Sequence, residues 1–541
     1  MKDILIFGHQ NPDTDSVLSA INLATLKNKL GQKAVPKVLG DINFETKFVL
    51  DYFDIPIPKF LNDVKLQISD IDYQKNNYLK EKTTVLHAFD FFRNNNNHSL
   101  PIVNNNLKLK KIIHITDIAN YAICDADQHL ITSYDNILDC LKGLSVTKFA
   151  SEIDGDVLVA AYNSKTFKES VKIKKNSILI VGNRPDIQEY AILNKAQLII
   201  LTGNYSLSPK LLKLAKEKKV NVIVSKHDTY KTSRLVMLSH YINRLNTKNP
   251  KITFRESDYV EEFKRTAKNN PYHEYPVVDN NNHVLGVISL LDLEKKHPKK
   301  VILVDHNESR QSVIGLEEAE ILEIIDHHKI GNLATSYPIS FRNMIVGSTN
   351  TIIYFLFQEN NIPIDKTTAG LIMAGIISDT LMLKSPTTTE IDHEVLEKTS
   401  KIAEIDTQDF AKKMFEAGSE VTSLSKEELL YNDFKSFNIK KRSIGIGQLK
   451  TTNPADIKKD LSSFSKLIEA EAKNKDYYIL ALFVTDIINN GSYIVFNKKA
   501  KAILEDAFTI RNLENWTFIP ESVSRKQQII PRIIDVIEKS S

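Results

Sequence analysis

Short apolar runs, each emptying into a polar loop, recur along this chain. Ile4-Leu5-Ile6-Phe7 leads into Gly8-His9-Gln10-Asn11-Pro12-Asp13-Thr14-Asp15-Ser16, and Val301-Ile302-Leu303-Val304 leads into Asp305-His306-Asn307-Glu308. Ile321-Leu322-Glu323-Ile324-Ile325 leads into Asp326-His327-His328. Continuous apolar runs rich in β-branched residues predict strands covered on both faces, the pattern of a parallel sheet. A helix is predicted from residue 17 to about residue 30, with Asp15-Ser16 as its cap. The run of small and apolar residues from Gly370 to Ser378 predicts a helix buried against the sheet, and Asp379 follows it. In an open α/β sheet ligands collect where strands end. Three such ends therefore bring carboxylates and imidazoles to one edge.

The middle of the chain has a different rhythm. Pro101-Ile102-Val103 and Asp117 recur as Pro276-Val277-Val278 and Asp292, displaced by 175 positions, with Asn105-Asn106 matched by Asn280-Asn281. Each copy predicts helix, strand, Asn-rich turn, strand and helix: 84–93, 100–103 and 111–115 in the first, 259–269, 275–278 and 284–289 in the second. Between the copies, apolar runs at 178–182, 198–203 and 220–224 alternate with helical stretches such as 209–219, an α/β pattern. The Thr202-Gly203 turn could cradle a phosphate or be a plain turn.

Composition narrows the picture modestly. A chain of 541 residues with 42% hydrophobic content can fill several cores, about three to four domains by length. The 71 basic and 67 acidic residues leave a formal charge of +4, which gives no support to nucleic-acid or polybasic membrane binding. Cys124 and Cys140 have no metal-ligand spacing and no disulfide framework. One short strand before His9 is too little for a signal peptide, and no run of 18 apolar residues occurs. The expected compartment is the cytoplasm.

Any single acid after a strand is an ordinary helix cap or turn former. Seven groups together are another matter. His9, Asp13, Asp15, Asp305, His327, His328 and Asp379 would repel and desolvate one another without a cation. Oxygen and imidazole donors without thiolates suit a two-metal hydrolytic centre.

Asp326-His327-His328 with the opening His9-Asn11-Pro12-Asp13-Thr14-Asp15 resembles the DHH phosphoesterase superfamily, and within it the family II inorganic pyrophosphatases. The likeness includes Val304-Asp305-His306-Asn307-Glu308, Ser378-Asp379 and Ser524-Arg525-Lys526, and covers roughly residues 1–65 and 300–541. The resemblance implies that His9 and Asp13 bind one metal, that Asp15, His327 and Asp379 bind the other, and that Asp305 bridges both. It further implies two tightly held Mn2+ or Co2+ ions, substrate-associated Mg2+, and a shared water or hydroxide of lowered pKa as nucleophile. His328 and Asn307 would lie beside the substrate. Lys435, Arg525 and Lys526 would neutralise its phosphates, since guanidinium binds phosphate bidentately; without the family motif these three read as a solvated basic surface. The likeness also implies at least a homodimer or homotetramer.

The two middle copies resemble CBS domains, which bind adenine nucleotides between paired copies. That implies AMP, ADP, ATP or diadenosine polyphosphates as regulators. Ser289 and Asp292 match the family's hydroxyl and acid in the second copy; His114 and Asp117 stand there in the first, with an imidazole replacing the usual hydroxyl. Tyr275 is the candidate to stack on adenine. The segment between them resembles the DRTGG domain, closing on Asp228-Thr229-Tyr230-Lys231-Thr232-Ser233-Arg234, without the namesake pentapeptide. The expected architecture is α/β throughout: a parallel-sheet DHH domain (1–66 and 300–426), interrupted by CBS (67–127), DRTGG-like (128–248) and CBS (249–299) domains, then a DHHA2-like α/β domain (427–541). The segment from Phe415 to Lys426 reads as the linker on which that last domain closes. Three functions compete: an inorganic diphosphatase regulated by nucleotides, a DHH phosphodiesterase or exopolyphosphatase, and a nucleotide sensor on an inactive hydrolase core. The second group usually carries a Gly-Gly-Gly-His string, which is missing here, and intact ligands argue against the third.

Overall fold

The computed structural model describes residues 3–124, 128–247, 251–335, 337–418, 425–431, 433–440, 442–451, 454–486 and 489–539. The chain divides into two compact units, one formed by Met1–Leu66 with Pro298–Ser541 and the other by Gln67–His297.

The first unit carries two sheets. In one, five parallel strands run in the order Ser340–Asn343, Glu320–Asp326, Lys300–Val304, Ile4–Phe7 and Ala34–Lys37. Ile6, Ile302, Val304 and Ile325 face the helices Thr14–Lys29, Thr349–Glu359 and Lys366–Thr380, while Phe7, Val301, Leu303 and Ile324 pack against Leu39, Val64 and Val313 on the other face. Each such buried side chain contributes roughly 1.5–3 kcal/mol. Ala34–Lys37 was not legible as a strand because it contains Pro36, which a sheet accepts at its edge. The second sheet, Phe434–Ile439, Arg442–Thr451, Ile479–Asp486, Gly491–Phe496 and Thr517–Pro520, is mixed, with cores on both faces.

The opening helix starts earlier than the sequence pattern suggests. It spans Thr14–Lys29, and its cap is Asp13, whose carboxylate accepts from the Ser16 amide at 3.0 Å. Asp15-Ser16 lies inside the first turn. The expected linker is also revised at its start: Phe415 to Gly418 ends the helix Thr407–Gly418. Residues 419–424 lie outside the described residues, and the helix Lys426–Tyr431 follows.

In the second unit the two copies share their strand pairs, but the first closes with the helix Ile115–Cys124 and the second, where a helix was expected, with the short 3-10 turn Leu290–Glu294. Ser99–Val103 pairs antiparallel with Leu109–His114, as Glu274–Val278 does with Val284–Ser289. The copies meet through these strands, where Val103, Val278 and Val284 share a small core. At the matched positions 99 and 274, the buried Glu274 carboxylate accepts from the Ser99 amide and hydroxyl, both at 2.9 Å. Between the copies lies a six-stranded sheet, ordered His129–Ser133, Glu152–Val159, Ser177–Val181, Leu198–Leu201, Asn221–Val224 and Leu144–Thr147. No helix among the described residues is long and apolar enough to cross a membrane.

Candidate metal centre

The strand Ile4–Phe7 ends at Gly8, where the chain turns so tightly against the next helix that a Cβ would lie 2.0 Å from Ser16 Oγ. That closeness lets the Ser16 hydroxyl accept from the His9 amide at 3.0 Å and aims the imidazole across the strand ends. His9 Nε2 then sits 3.3 Å from Asp13 and 3.4 Å from Asp305. Asp305 ends the neighbouring strand with φ 63°, a left-handed conformation that Asp tolerates better than most residues and that collects at functional sites.

The next strand ends on Asp326, which is fully buried and acts as an organiser. Its Oδ1 accepts from the amides of His327 (2.8 Å) and His328 (3.1 Å) and pairs with His328 Nδ1 at 2.9 Å. His327 Nδ1 donates to the Val346 carbonyl at 2.9 Å. In the neutral ring this fixes the tautomer and leaves the Nε2 lone pair bare, buried and without a hydrogen-bond partner among the described residues. It lies 3.2 Å from Asp379 and 3.4 Å from Asp305.

Three groups of ligand atoms result, each within 4.8 Å: His9, Asp13 and Asp305; Asp15, His327 and Asp379; and Asp305, His327 and His328. Asp305 belongs to the first and third of these groups, and His327 joins the third to the second. The donor chemistry fits a pair of divalent cations of the Mn2+, Co2+ or Mg2+ type, hard to borderline and content with oxygen and imidazole.

The electrostatics match that reading. Burial, then the charges of Asp305 and Asp379, push the Asp15 carboxyl well above the usual carboxylate range. Asp379 is pushed up to about 6, first by burial and then by Asp305, against the pull of His327. Burial opposes the charged form of His9, but Asp13 and Asp305 outweigh it and hold its pKa well up; His327 is raised likewise by Asp305 and Asp379. Asp305 is held well below its ordinary range by His327 and His9 despite its burial. These anions are crowded beyond what two imidazoles neutralise.

Among the other expected site residues, Lys435, Arg525 and Lys526 do converge. Burial lowers the Lys435 pKa, and the neighbouring charges of Arg525 and Lys526 lower it further. Arg525 is more constrained than expected: its guanidinium bonds the Asp433 carboxylate at 2.7 Å and the Asp433 carbonyl, leaving Nε buried without a partner among the described residues. Asn307, expected beside the substrate, also staples the loop. Its amide donates to Asp326 and to the Lys329 carbonyl at 3.0 Å, and its oxygen accepts from Gly331.

Tyr275 is also corrected. It is 1% exposed, with its ring edge-on to Phe254 (5.7 Å), Phe263 (5.8 Å) and Tyr272 (6.3 Å), so it has no free face for adenine. Ser289 and Asp292 form a capping box, with the hydroxyl 2.8 Å from the carboxylate, and the His114 amide bonds Asp117 likewise at 2.8 Å. The His114 ring instead stacks on Tyr272, centroids 5.0 Å apart and 11° from parallel.

Sequence reasoning missed Ser348, Thr349 and Asn350, which surround Asp15 and Asp305. The only trace of them was Ser-Thr-Asn ahead of an apolar run, an ordinary helix start. It also missed Glu45, whose carboxylate binds the hydroxyls of Thr14 (2.7 Å) and Ser378, each next to a ligand.

With this geometry in hand, known proteins supply a family. A cobalt-dependent inorganic pyrophosphatase of Clostridium perfringens is 37% identical over 99% of this chain and 99% of its own. The chain belongs to the family II inorganic pyrophosphatases. A manganese-dependent inorganic pyrophosphatase of Bacillus subtilis is 36% identical over 44% of this chain and 77% of its own. Family models match at residues 68–123 and 242–297 for the CBS domain, 136–239 for the DRTGG domain and 412–536 for the DHHA2 domain. A solved structure of the CBS and DRTGG domains of the Clostridium perfringens pyrophosphatase, complexed with its activator diadenosine tetraphosphate, is 30% identical over 42% of this chain and 100% of its own, with a TM-score of 0.39.

Proposed function

We propose that this chain hydrolyses inorganic pyrophosphate to two phosphates at the centre around Asp305, and that adenine nucleotides bound by the middle unit set its rate. The observation that carries the reading is the meeting of two histidine-centred donor groups at one shared carboxylate. His9 and Asp13 would hold one cation, Asp15, His327 and Asp379 the other, and Asp305 both; Mn2+ or Co2+ suits the tight positions, with Mg2+ accompanying the substrate. Such a pair supplies Lewis acidity and brings the pKa of a bound water toward neutrality.

The chain's own residues supply the rest. His328, a third exposed and oriented by Asp326, borders the same space and can hydrogen-bond an oxygen of the reacting phosphate. Lys435, Arg525 and Lys526 bring positive charge to the second phosphoryl group; burial first, and then Arg525 and Lys526, lower the pKa of Lys435, and an anion among them would offset the cation repulsion. A monoester has no group there. Binding energy from the second phosphoryl group is then available to position the first.

For regulation, a hydrogen-bond path runs from the ligand loop toward the point where the chain leaves the first unit. Gln10 Nε2 donates to the Ser312 carbonyl at 2.8 Å and its amide to Gln311 at 2.8 Å; Ile314 bonds Asn62 at 2.9 Å and Val64 bonds Ile314 at 2.9 Å. A nucleotide that moves the insertion's stem would thereby pull on the loop holding His9 and Asp13. The domain division is read as 1–66 with 300–426, 67–127, 128–248, 249–299 and 427–541, and the assembly as a cytoplasmic homodimer or larger.

The deciding experiment is phosphate release from pyrophosphate, p-nitrophenyl phosphate and a short oligonucleotide with Mg2+, Mn2+ or Co2+. Strong preference for pyrophosphate supports the proposal. Equal turnover of the monoester or preference for the oligonucleotide overturns it in favour of a phosphodiesterase, and no turnover with nucleotide binding retained leaves a sensor.

A further inference from the structure

The helix Thr349–Glu359 begins in contact with the metal-centre carboxylates, and the contact is specific to atoms. Asp15 Oδ1 accepts from the Ser348 hydroxyl at 2.5 Å, from Asn350 Nδ2 at 2.8 Å and more weakly from the Asn350 amide at 3.4 Å. Asp15 Oδ2 accepts from the Thr349 amide at 2.8 Å and from no other group among the described residues. A carboxylate oxygen has about two lone-pair directions. Oδ1 is therefore saturated, and Oδ2 keeps one direction open.

Asn350 is itself clamped. Asn22 Nδ2 donates to its oxygen at 2.7 Å, and its second amide hydrogen reaches the Asp15 carbonyl at 3.2 Å. Asn22, Ser348, Thr349 and Asn350 have no exposed surface. The facing helix makes room for this amide with Gly375, where a Cβ would stand 2.2 Å from Asn350 Nδ2 and 3.0 Å from Asp15 Oδ1. Any larger residue at 375 displaces one or the other. The Thr349 hydroxyl extends the set to Asp305 Oδ1 at 2.9 Å.

We propose that Ser348 and Asn350 are positioning residues that make Asp15 a one-oxygen ligand through Oδ2 and thereby set the affinity of one of the two cations, leaving the other nearly untouched. Neither side chain reaches His9 or Asp13 in any hydrogen bond among the described residues. The positive end of the helix, about half an elementary charge, points at the same carboxylate. Partners of ligands that act in this way typically change metal affinity by about 10–100-fold when removed.

This inference rests on the two-cation reading, and the test separates them. Mn2+ is titrated into metal-stripped protein through a metal buffer, resolving both sites, for the unmodified chain, Asn350→Ala and Ser348→Ala, with the melting temperature of each metal-free form recorded. Each variant should lose about 10–100-fold affinity at one site and stay within about threefold at the other. Unchanged affinities at both sites, or equal weakening at both, overturn the inference, including when the metal-free melting temperature falls, which would mark a packing role only. If Asn350→Ala does not fold, Ser348→Ala decides alone. If the unmodified chain binds no pair of cations, the two-cation reading itself fails.

Discussion

Cation affinity at the centre should fall steeply with acid, by an amount that can be worked from Asp379. With no cation bound its carboxyl titrates at about 6, pushed up by burial and by Asp305. A cation must displace that proton. At pH 7 the group is already ionised and the cost is small; at pH 5 the proton is held about tenfold over, which removes about 1.4 kcal/mol, or roughly a factor of ten, from the apparent affinity. Asp15, His9 and His327 are raised as well and add in the same direction. Stability of the cation-free fold carries the opposite sign. A carboxyl or imidazole whose pKa is raised by folding favours the fold while protonated, and this contribution is lost as pH rises through the folded value, for Asp379 between its ordinary 3.8 and about 6. The cation-free fold therefore weakens on going from pH 5 toward neutrality through these groups, while cation binding gains. His306 acts oppositely: burial lowers its pKa to about 4, so it weakens the fold as pH falls below 6.5. Because it contributes with and without cation, the measurement must be the cation-dependent difference. Calorimetric titration of metal-stripped protein with Mn2+ at pH 5, 6 and 7, in buffers of different ionisation enthalpy, reads affinity and proton release together. An affinity that changes by less than about tenfold between pH 7 and 5, or binding without proton release, refutes the reasoning.

Arg525→Ala should lower kcat/KM for pyrophosphate by more than about tenfold while two cations still bind, because a charge-assisted contact to phosphate is worth about 1.5–3 kcal/mol; steady-state kinetics beside metal analysis reads this. Tyr275→Phe removes a buried hydroxyl that has no partner among the described residues, so calorimetry should find stability unchanged or raised by up to about 1 kcal/mol, whereas Tyr275→Ala should cost about 3–5 kcal/mol. A large loss in the Phe variant would mean that the hydroxyl is bonded after all. Gln10→Ala removes the side-chain bond to the Ser312 carbonyl and keeps the backbone bond to Gln311, and should keep pyrophosphate turnover within about threefold while shrinking the response to AMP or diadenosine tetraphosphate; an undiminished response rules out the side-chain link in the path.

The strands and the ligands were legible because both are written locally. Four apolar residues ending in Asp305 or His9 state a buried strand and what lies at its end, and the 175-residue displacement states a repeat without any structure. What stayed hidden depends on contacts distant in sequence. Asn350 lies 335 positions from Asp15, and its amide looks like an ordinary helix-start residue until the fold brings them together. Tyr275 misled for the opposite reason: a strand aromatic beside proline suits a ligand face or a core face, and only Phe254 and Phe263 decide which. Arg525 matched the motif, but its bond to Asp433 could not be read from either segment alone. Glu152–Val159 escaped because Asp154, Gly155 and Asp156 interrupt its apolar pattern.

The centre itself is tested most directly by Asp305→Asn, assayed for pyrophosphate turnover with bound Mn2+ counted in the same sample. Losing the carboxylate shared by two of the donor groups should cut turnover by several orders of magnitude, since breaking a buried charge pairing costs about 3–5 kcal/mol and on the proposed reading two cations would depend on it. The fold should survive, as the amide has the carboxylate's shape. Near-normal turnover with two cations bound would contradict the account.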